Sequence, residues 1–376
     1  MYLLPTSYLA VFLLIMFISP DTKEKKGFLY LCWGLFVVSM VTLAILSNPP
    51  INWDLYRHYQ FLDQIRYSHI SLFDFLFNNR SGIGNYSYKN LLFFNVLRWF
   101  VAQSEYNSLL PAIVIMIDYS IIAYIYIDWY EFKLNRKCCF SILLCFTFLP
   151  FIFALSGLRN GMASCIEALA VYLFLHKRLG LKIFAILSLI AFTTHYISIV
   201  AIPIVIVSRF KPKASIFGLI LFSSFFINFI SNVFKNSSNE VMRLISSAYI
   251  SYSSEDQYWG SNYSLVVVLS LIFIVIICYL IGRQYRLESS SEGLSIKSFC
   301  IYYSAYIIAN IGNYDLVLRP AYIFGALSPC LSSIIIFDHN GKASSKILIL
   351  LLTTVCLLLT IYFNLRSLLS LSKAYS

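Results

Sequence analysis

The segment "ALSGLRNGMASC", Ala154–Cys165, joins two strongly apolar runs and places one arginine between them. Upstream, Cys138–Leu155 carries no charged residue, and downstream, Met162–Leu175 has Glu167 as its only charge. Runs of this composition and length are typical of helices inside a membrane. The segment therefore predicts a turn between two membrane helices, and it puts Arg159 where a guanidinium is least favourable.

The whole chain has the composition of a polytopic membrane protein. Of its 376 residues, 59% are hydrophobic and 12% are charged, whereas soluble domains carry roughly 25% charged residues. Apolar stretches close to the roughly 20 residues that span a bilayer recur from end to end. We therefore predict an all-α fold, in which residues 1–376 form a single polytopic transmembrane domain of about 11–12 helices.

Charge and cysteine content exclude several classes of protein. The net charge of +11 is typical of basic cytoplasmic loops in a membrane protein, so no nucleic-acid partner is predicted. None of the nine cysteines shows the spacing of a metal site. We expect neither a metal nor a cofactor.

The apolar runs give the positions of the helices. A shorter apolar stretch, Leu91–Val101, is predicted to be re-entrant or interfacial. The predicted spans are Leu3–Ser19 (a retained first helix), Gly27–Leu46, Leu109–Tyr130, Cys138–Leu155, Met162–His176, Ser215–Phe234, Tyr263–Ile281, Ser298–Ile311, Val317–Phe337 and Ile347–Leu365.

Basic residues in the short loops orient the bundle, because Lys and Arg concentrate on the cytoplasmic side. If the run from Leu181 to Phe210 were one long tilted helix, the basic clusters at its two ends would lie on opposite sides. A break at Thr193-Thr194-His195 returns both clusters to the cytoplasm. With this break, the loops 47–90 and 235–262, the Arg159 turn and the His195 break all face the outer, periplasmic side.

Two arginines are candidates for binding an anion. Arg159 lies between glycines, which let a ligand approach the backbone, and close to a helix start, which favours negative charge. Arg319, in "NYDLVLRPAYIF", also interrupts an apolar stretch, and two outward arginines could bind a diphosphate together. The structural alternatives are a snorkelling interfacial Arg159 and an Asp315–Arg319 pair within one helix.

His195 is the only histidine inside an apolar run. A neutral imidazole at a helix break could act as general base toward a sugar hydroxyl. The alternative is a buried histidine with a purely structural role.

The loop after the second predicted helix reads "WDLYRHYQF". Aromatic faces next to carboxylate groups are suited to sugar rings, so we predict that Asp54, Tyr56, Arg57 and Tyr59 bind sugar. An aromatic belt at the membrane interface is the alternative, but it does not explain Asp54.

Taken in order, "WDLYRHYQF", "SGLRNGMA", "THYISI" and "LRPAYIF" resemble the EpsG-like and Wzy-type polysaccharide polymerases of bacterial envelopes, which are related to the O-antigen ligases. The resemblance implies a GT-C-like, metal-independent glycosyltransferase of the hexosyltransferase type. It also implies an inner-membrane location, with the active site facing the periplasm.

The implied reaction moves a growing O-antigen, capsule or exopolysaccharide chain from undecaprenyl diphosphate to a lipid-linked repeat unit. By this resemblance Arg159 and Arg319 bind the diphosphate, and His195 acts as base or positions the acceptor. The partners are undecaprenyl-diphosphate-linked repeat units and a chain-length regulator protein. The alternatives are a lipid-linked oligosaccharide flippase, for which we find no internal repeat, an O-antigen ligase, and a membrane acyltransferase, for which no acid adjoins His195.

Overall fold

The computed structural model is helical wherever regular structure is assigned. It describes residues 26–47, 49, 54–77, 91–131, 141, 151–177, 179–196, 201–222, 225, 229, 232–239, 242–243, 246, 263–283, 290–310, 314–336, 343–352 and 354–355. Within these ranges no strand occurs, which agrees with the predicted all-α class. The predicted first helix, Leu3–Ser19, lies outside the described residues, as do most of Cys138–Leu155 and most of the 235–262 loop.

The helices follow the apolar runs closely. Their bounds are α1 Lys26–Leu46, α2 Asp54–Ser68, α3 Leu72–Phe77, α4 Leu92–Ala102, α5 Leu109–Trp129, α6 Phe151–Ser156, α7 Leu158–Leu175, α8 Leu181–Thr194, α9 Ala201–Ser208, α10 Ala214–Leu221, α11 Tyr263–Gly282, α12 Ser291–Ala309 and α13 Tyr314–Ile336, followed by the apolar segment Ala343–Leu352.

Two of the described helices, α5 and α7, are both long enough and apolar enough to cross a membrane. Several shorter apolar helices accompany them, among them α4 and α8.

Helix α7 is the centre of the bundle. It packs against α5, α6, α8, α9, α12 and α13, and most of its side chains are buried. An α-helix that is enclosed on all sides has no polar face, so any polar group on it must be satisfied by a neighbouring helix.

Side-chain contacts fix how α7 runs relative to α5. Tyr172 donates a hydrogen bond to Asp128 Oδ2 at 2.8 Å, and Gly161 lies against the Asp118 carboxylate. Both contacts join a residue of α7 to one 43 or 44 positions earlier, so the two helices are parallel. At 1.5 Å per residue, this register puts Arg159 about 10 Å below the start of α5.

Helix α8 returns antiparallel to α7. Ser188 donates to Glu167 Oε1 at 3.1 Å, and the rings of Phe174 and Phe184 stack with centroids 4.7 Å apart. Extending this register brings His195 level with the first turn of α7.

The chain does break where the basic clusters predicted it. Helix α8 ends at Thr194, and His195 is extended at φ −156° and ψ 122°. A separate helix, α9, begins at Ala201.

Helix α13 runs parallel to α5. Tyr126 donates to the carbonyl of Ala326 at 3.1 Å, and Tyr130 donates to Ser333 Oγ at 2.6 Å. Arg319 precedes Ala326 by seven residues, so its backbone lies within about 6 Å of the level of Arg159 along the bundle.

Three predicted boundaries need correction. Helix α12 begins at Ser291, seven residues before the predicted Ser298, because Ser290 accepts from the N–H of Gly293 and caps the helix. Helix α7 begins at Leu158 and not at Met162, so Arg159 belongs to its first turn. Helix α13 begins at Tyr314, three residues before the predicted Val317.

A polar cluster closes the end of the bundle that lies farthest from Arg159. The ring of His176 stacks on Trp129, with centroids 4.2 Å apart, and its Nδ1 faces Glu292 at the start of α12. Lys177 pairs with Asp128 at 3.2 Å. These contacts join α5, α7 and α12 at the end where the chain turns into α8.

Gly161 allows α5, α6 and α7 to approach closely. A Cβ at this position would lie 3.2 Å from Asp118 Oδ2 and 3.7 Å from the Cα of Ala154. Asp118 is buried at 2% exposure, and the backbone of Ala154 cannot rotate away. The contact therefore has little room for adjustment.

We predict that Gly161→Val destabilises the protein by about 1–3 kcal/mol, the usual cost of overpacking, and that Gly161→Ala has a smaller effect of the same sign. Thermal unfolding in detergent measures both. The matched control is Gly34→Ala in α1, where a Cβ meets nothing within 4 Å and where alanine favours the helix. Equal melting temperatures for Gly161→Val and the wild type would contradict the close approach.

Candidate active site

Arg159 occupies the first turn of the central helix. The N-cap residue is Gly157, which has no side chain with which to cap the free N–H groups of that turn. The side chain of Arg159 is 13% exposed. A guanidinium therefore lies next to the positive end of a helix dipole, an arrangement that favours an anion.

The N-terminal end of α2 provides the negative charge that Arg159 contacts. Asp54 Oδ2 lies 3.7 Å from Arg159 Nη2 and 3.3 Å from His58 Nε2. Asp54 and His58 are four residues apart and share one face of α2. Asp54 is 39% exposed, whereas His58 is 2% exposed.

The fourth member of the site comes from α4. Arg98 Nη2 lies 2.5 Å from His58 Nδ1, and Arg98 Nη1 donates to Asn95 Oδ1 at 3.3 Å. The guanidinium lies over the rings of Phe61 and Phe94, at 4.8 and 4.7 Å from their centroids. We refer to Asp54, His58, Arg98 and Arg159 as the charged cluster.

The two members of the charged cluster on α2, Asp54 and His58, both have a pKa shifted away from its usual value. Helix α2, which carries both residues, is not one of the apolar helices. Burial raises the pKa of Asp54, but contact with His58 and the charges of Arg159 and Arg98 outweigh this and hold it well below its usual range. Burial and the charge of Arg98 lower the pKa of His58 to about 4, although Asp54 opposes them.

The charged cluster consequently has a positive balance at neutral pH. It contains two guanidinium groups, one carboxylate and a neutral imidazole, so one positive charge is left over. A site with this balance at a helix start binds anions in preference to cations.

The other α2 residues predicted to bind sugar differ in burial. Tyr56 is half-buried and Arg57 is exposed. Tyr59 is half-buried, and its hydroxyl has no hydrogen-bond partner among the described residues. The structure therefore places Asp54 in the charged cluster, while Arg57 points away from the packed face of α2.

The opposite end of α2 is firmly anchored. Arg66 Nε donates to the carbonyl of Ser104 at 2.9 Å, and its Nη groups donate to Asp63 at 2.6 Å and Asn107 at 2.7 Å. These bonds tie α2 to the turn between α4 and α5. The helix is therefore held at its C-terminal end by Arg66 and reaches Arg159 with its N-terminal end.

His195 lies at the end of α8, at the same level as Arg159. Its side chain is 3% exposed, and its ring stacks on Tyr196 with centroids 4.8 Å apart. Because α8 packs against both α7 and α4, the end of α8 borders the same space as the charged cluster.

The side chain of Arg319 lies outside the described part of the structure. Its backbone belongs to α13, which packs against α7. The register given above brings this backbone near the level of Arg159. The structure therefore places Arg159, His195 and the Arg319 backbone in one layer of the bundle.

The sequence analysis missed two residues of the charged cluster. Arg98 is the only charge in the apolar run "LLFFNVLRWFVA", the same signal that identified Arg159. It was not singled out because that run was predicted to be re-entrant or interfacial; in the structure α4 packs against α2, α5 and α8. The spacing of four between Asp54 and His58 also predicts a shared helix face, but only if the loop is helical.

Comparison with known proteins gives one match. The sequence profile of the EpsG family matches residues 85–374, which is more than three quarters of the chain. No curated protein and no solved structure shows significant similarity.

The matched range includes Arg98, Arg159, His195 and Arg319. Asp54 and His58 precede it, so the "WDLYRHYQF" segment is not part of the match. The resemblance to EpsG-like proteins that was inferred from the other segments is confirmed. The chain therefore belongs to the EpsG family and is a membrane protein of the polysaccharide-polymerase type.

Proposed function

We propose that this protein is a polysaccharide polymerase that transfers a growing glycan from undecaprenyl diphosphate to a lipid-linked repeat unit at the outer face of the bacterial inner membrane. The observation that carries the proposal is Arg159. It lies in the first turn of the central helix, about 10 Å below the start of α5, and faces the Asp54 carboxylate at 3.7 Å.

The chemistry explains why a guanidinium is needed at this depth. The acceptor hydroxyl oxygen attacks the anomeric carbon of the donor glycan, and a new glycosidic bond forms. The bond from that carbon to the phosphate oxygen breaks, and the electron pair leaves with undecaprenyl diphosphate. The leaving group gains one negative charge, so a positive group beside it stabilises the transition state more than the ground state.

Arg159 supplies that positive group, with Arg319 as its partner from α13. The N-terminal N–H groups of α7 add to the positive field. Two arginines from parallel helices that pack together would hold the two phosphates of one diphosphate. No metal is required for this arrangement.

His195 is assigned to the acceptor. As a neutral imidazole it would take the proton of the attacking hydroxyl and pass it to water or to the leaving diphosphate. Asp54 and Tyr59 on α2, and the neighbouring Tyr56 and Arg57, would border the sugar. With a pKa well below its usual range, Asp54 is a weak base, so it fits the role of a hydrogen-bond acceptor for sugar hydroxyls.

The first prediction concerns Arg159. Arg159→Ala should abolish polymer, and Arg159→Lys should restore little of it, since lysine keeps the charge but loses the planar fork that binds two oxygens. Polymer length is measured on gels of surface glycan from cells that lack the chromosomal copy, after confirming expression.

The same gels separate the rival functions. Single repeat units should persist on the surface lipid of Arg159→Ala cells, because flipping and ligation belong to other proteins. Loss of the single units as well would favour a flippase or ligase. A normal ladder from well-expressed Arg159→Ala would make the residue structural.

The second prediction concerns His195. General-base assistance is worth about 10²–10⁴-fold, so His195→Ala should leave about one per cent of the rate or less while donor binding persists. His195→Gln keeps a hydrogen-bonding tip without a titratable group. Activity in His195→Gln with none in His195→Ala would indicate positioning of the acceptor, and wild-type polymer from His195→Ala would remove His195 from the mechanism.

The third prediction concerns orientation. Ser68, at the exposed end of α2, should lie outside, and Lys211, exposed between α9 and α10, should lie in the cytoplasm. Ser68→Cys should react with an impermeant thiol reagent in cells with a permeabilised outer membrane, whereas Lys211→Cys should react only after the inner membrane is opened.

The parent protein serves as the blank, and its described cysteines are buried. The reverse pattern of labelling would show that the protein has the opposite orientation in the membrane, so that the proposed site would not lie at the outer face. Ser253, in the predicted outer loop 235–262, is a second position suited to labelling, but it lies outside the described residues.

A further inference from the structure

Arg98 is the most deeply buried member of the charged cluster, yet it is not part of the proposed chemistry. Its side chain is 1% exposed and lies between Phe61 and Phe94. Burying a guanidinium is costly unless its donors find acceptors. One of those acceptors is a histidine nitrogen, an unusual partner for an arginine, because a histidine that is protonated there repels it.

We propose that Arg98 is a positioning residue that acts through His58: it fixes the histidine tautomer that presents Nε2–H to Asp54, and so holds the Asp54 carboxylate beside Arg159. The proposal rests on the proposed function, in which Arg159 binds the lipid diphosphate. Arg98 itself does not touch the substrate.

The tautomer follows from the donor inventory. A guanidinium has only donors, and Arg98 Nη2 lies 2.5 Å from His58 Nδ1. Nδ1 must therefore accept with its lone pair, and in the neutral ring the proton is on Nε2. Nε2 is the atom that faces Asp54 Oδ2 at 3.3 Å, as a charge contact that is not aligned for a full hydrogen bond.

The other two states of His58 are both unfavourable here. The opposite tautomer would set two donors against each other at Nδ1 and two acceptors against each other at Nε2. The doubly protonated ring would satisfy Asp54 but would place its Nδ1–H against the Arg98 donors. Arg98 thus excludes every state except the one that donates only to Asp54.

The Asp54 carboxylate in turn orients Arg159. At 3.7 Å the two groups attract each other without a short hydrogen bond. The Asp54 carboxylate therefore orients the guanidinium of Arg159 without holding it tightly. An arriving diphosphate then meets a group that is already positioned, which reduces the ordering that binding requires.

The charged groups facing His58 come from three helices: Asp54 from its own helix α2, Arg98 from α4 and Arg159 from α7. Removing the charge of Arg98 leaves the attraction of Asp54 less opposed. The pKa of His58 should then rise, while burial still holds it below that of an ordinary histidine.

The experiment uses the full chain in lipid nanodiscs with ¹⁵N-labelled histidine. The five histidines are distinguished by loss of one signal in His58→Gln. In the wild type at pH 7 we expect His58 with a bare Nδ1 and a protonated Nε2, and no titration down to about pH 5. A wild-type ring with its proton on Nδ1, or one that titrates near pH 6.5, would overturn the proposal without any variant.

The variants test Arg98 as the cause. Arg98→Met keeps an apolar stem between Phe61 and Phe94, and should mix the tautomers and move the titration up by about one pH unit or more. Arg98→Lys keeps a donor-only cation and should retain the wild-type tautomer. An Arg98→Met protein that melts like the wild type with unchanged His58 signals would overturn the proposal.

Arg66→Met is the matched control. It removes a hydrogen-bonded arginine that ties α2 to the turn between α4 and α5, and that lies eight residues from His58 along α2. It should leave the His58 tautomer and titration unchanged. If Arg66→Met shifted the His58 signals as much as Arg98→Met, the effect would be loosened packing and the proposal would fail.

Binding of undecaprenyl diphosphate supplies the functional readout. Arg98→Met should weaken it roughly ten- to hundredfold, the scale of a misplacement of about 1 Å, and Arg98→Lys should recover most of the loss. Unchanged binding in a protein with altered His58 signals would show that the His58 tautomer does not position Arg159 for the diphosphate. A failure of the polymerase function itself would show differently, as normal polymer from Arg159→Ala with the wild-type His58 tautomer intact.

Discussion

The fold has to accommodate the guanidinium of Arg159 inside an apolar bundle. An arginine near the middle of a membrane costs about 2.5–3.5 kcal/mol on insertion scales, and Arg159 is 13% exposed on a helix that is enclosed by its neighbours. The carboxylate that offsets this cost comes from a different part of the chain. Helix α2 must therefore enter the bundle with its polar end toward Arg159.

This requirement accounts for several features around the site. The Arg66 network fastens the far end of α2, and this leaves the near end to be positioned by His58 and Arg98. Gly161 lets α5 and α6 approach α7 where its first turn carries Arg159. The stacked cluster of Trp129 and His176 holds α5 against the end of α7 at the other end of the bundle. The site is held by contacts at both ends of the bundle, so its geometry does not depend on a single loop.

The sequence predicts the helices well because hydropathy and length are local properties. It also identifies Arg159 as a charge between two apolar runs and predicts the end of α8 at Thr194. Both are visible in the sequence, because one is an isolated charge and the other follows from the asymmetry of basic residues. The meeting of Asp54 with Arg159 is different. The two residues are more than one hundred positions apart, and no local pattern states which helix supplies the counter-charge.

Arg98 illustrates a second reason for failure. Its signal was present, but the length of its apolar run was read as a sign that the helix lies at the interface. Burial of α4 depends on its neighbours, which length does not reveal. The start of α12 was missed for the opposite reason: Ser290 is a local cap signal that hydropathy does not register.

The length of α8 bears on how a lipid carrier would meet the protein. The helix ends after 14 residues, or about 21 Å, whereas the hydrocarbon core of a bilayer is about 30 Å thick. Its outward side chains, among them Ile186 and Leu189, are apolar and exposed, as expected for contact with acyl chains. A helix that is too short draws the bilayer thinner around itself. Beside α8 the headgroup region would sink toward Arg159, so a polyprenyl carrier could present its phosphates while its tail stays among the lipids.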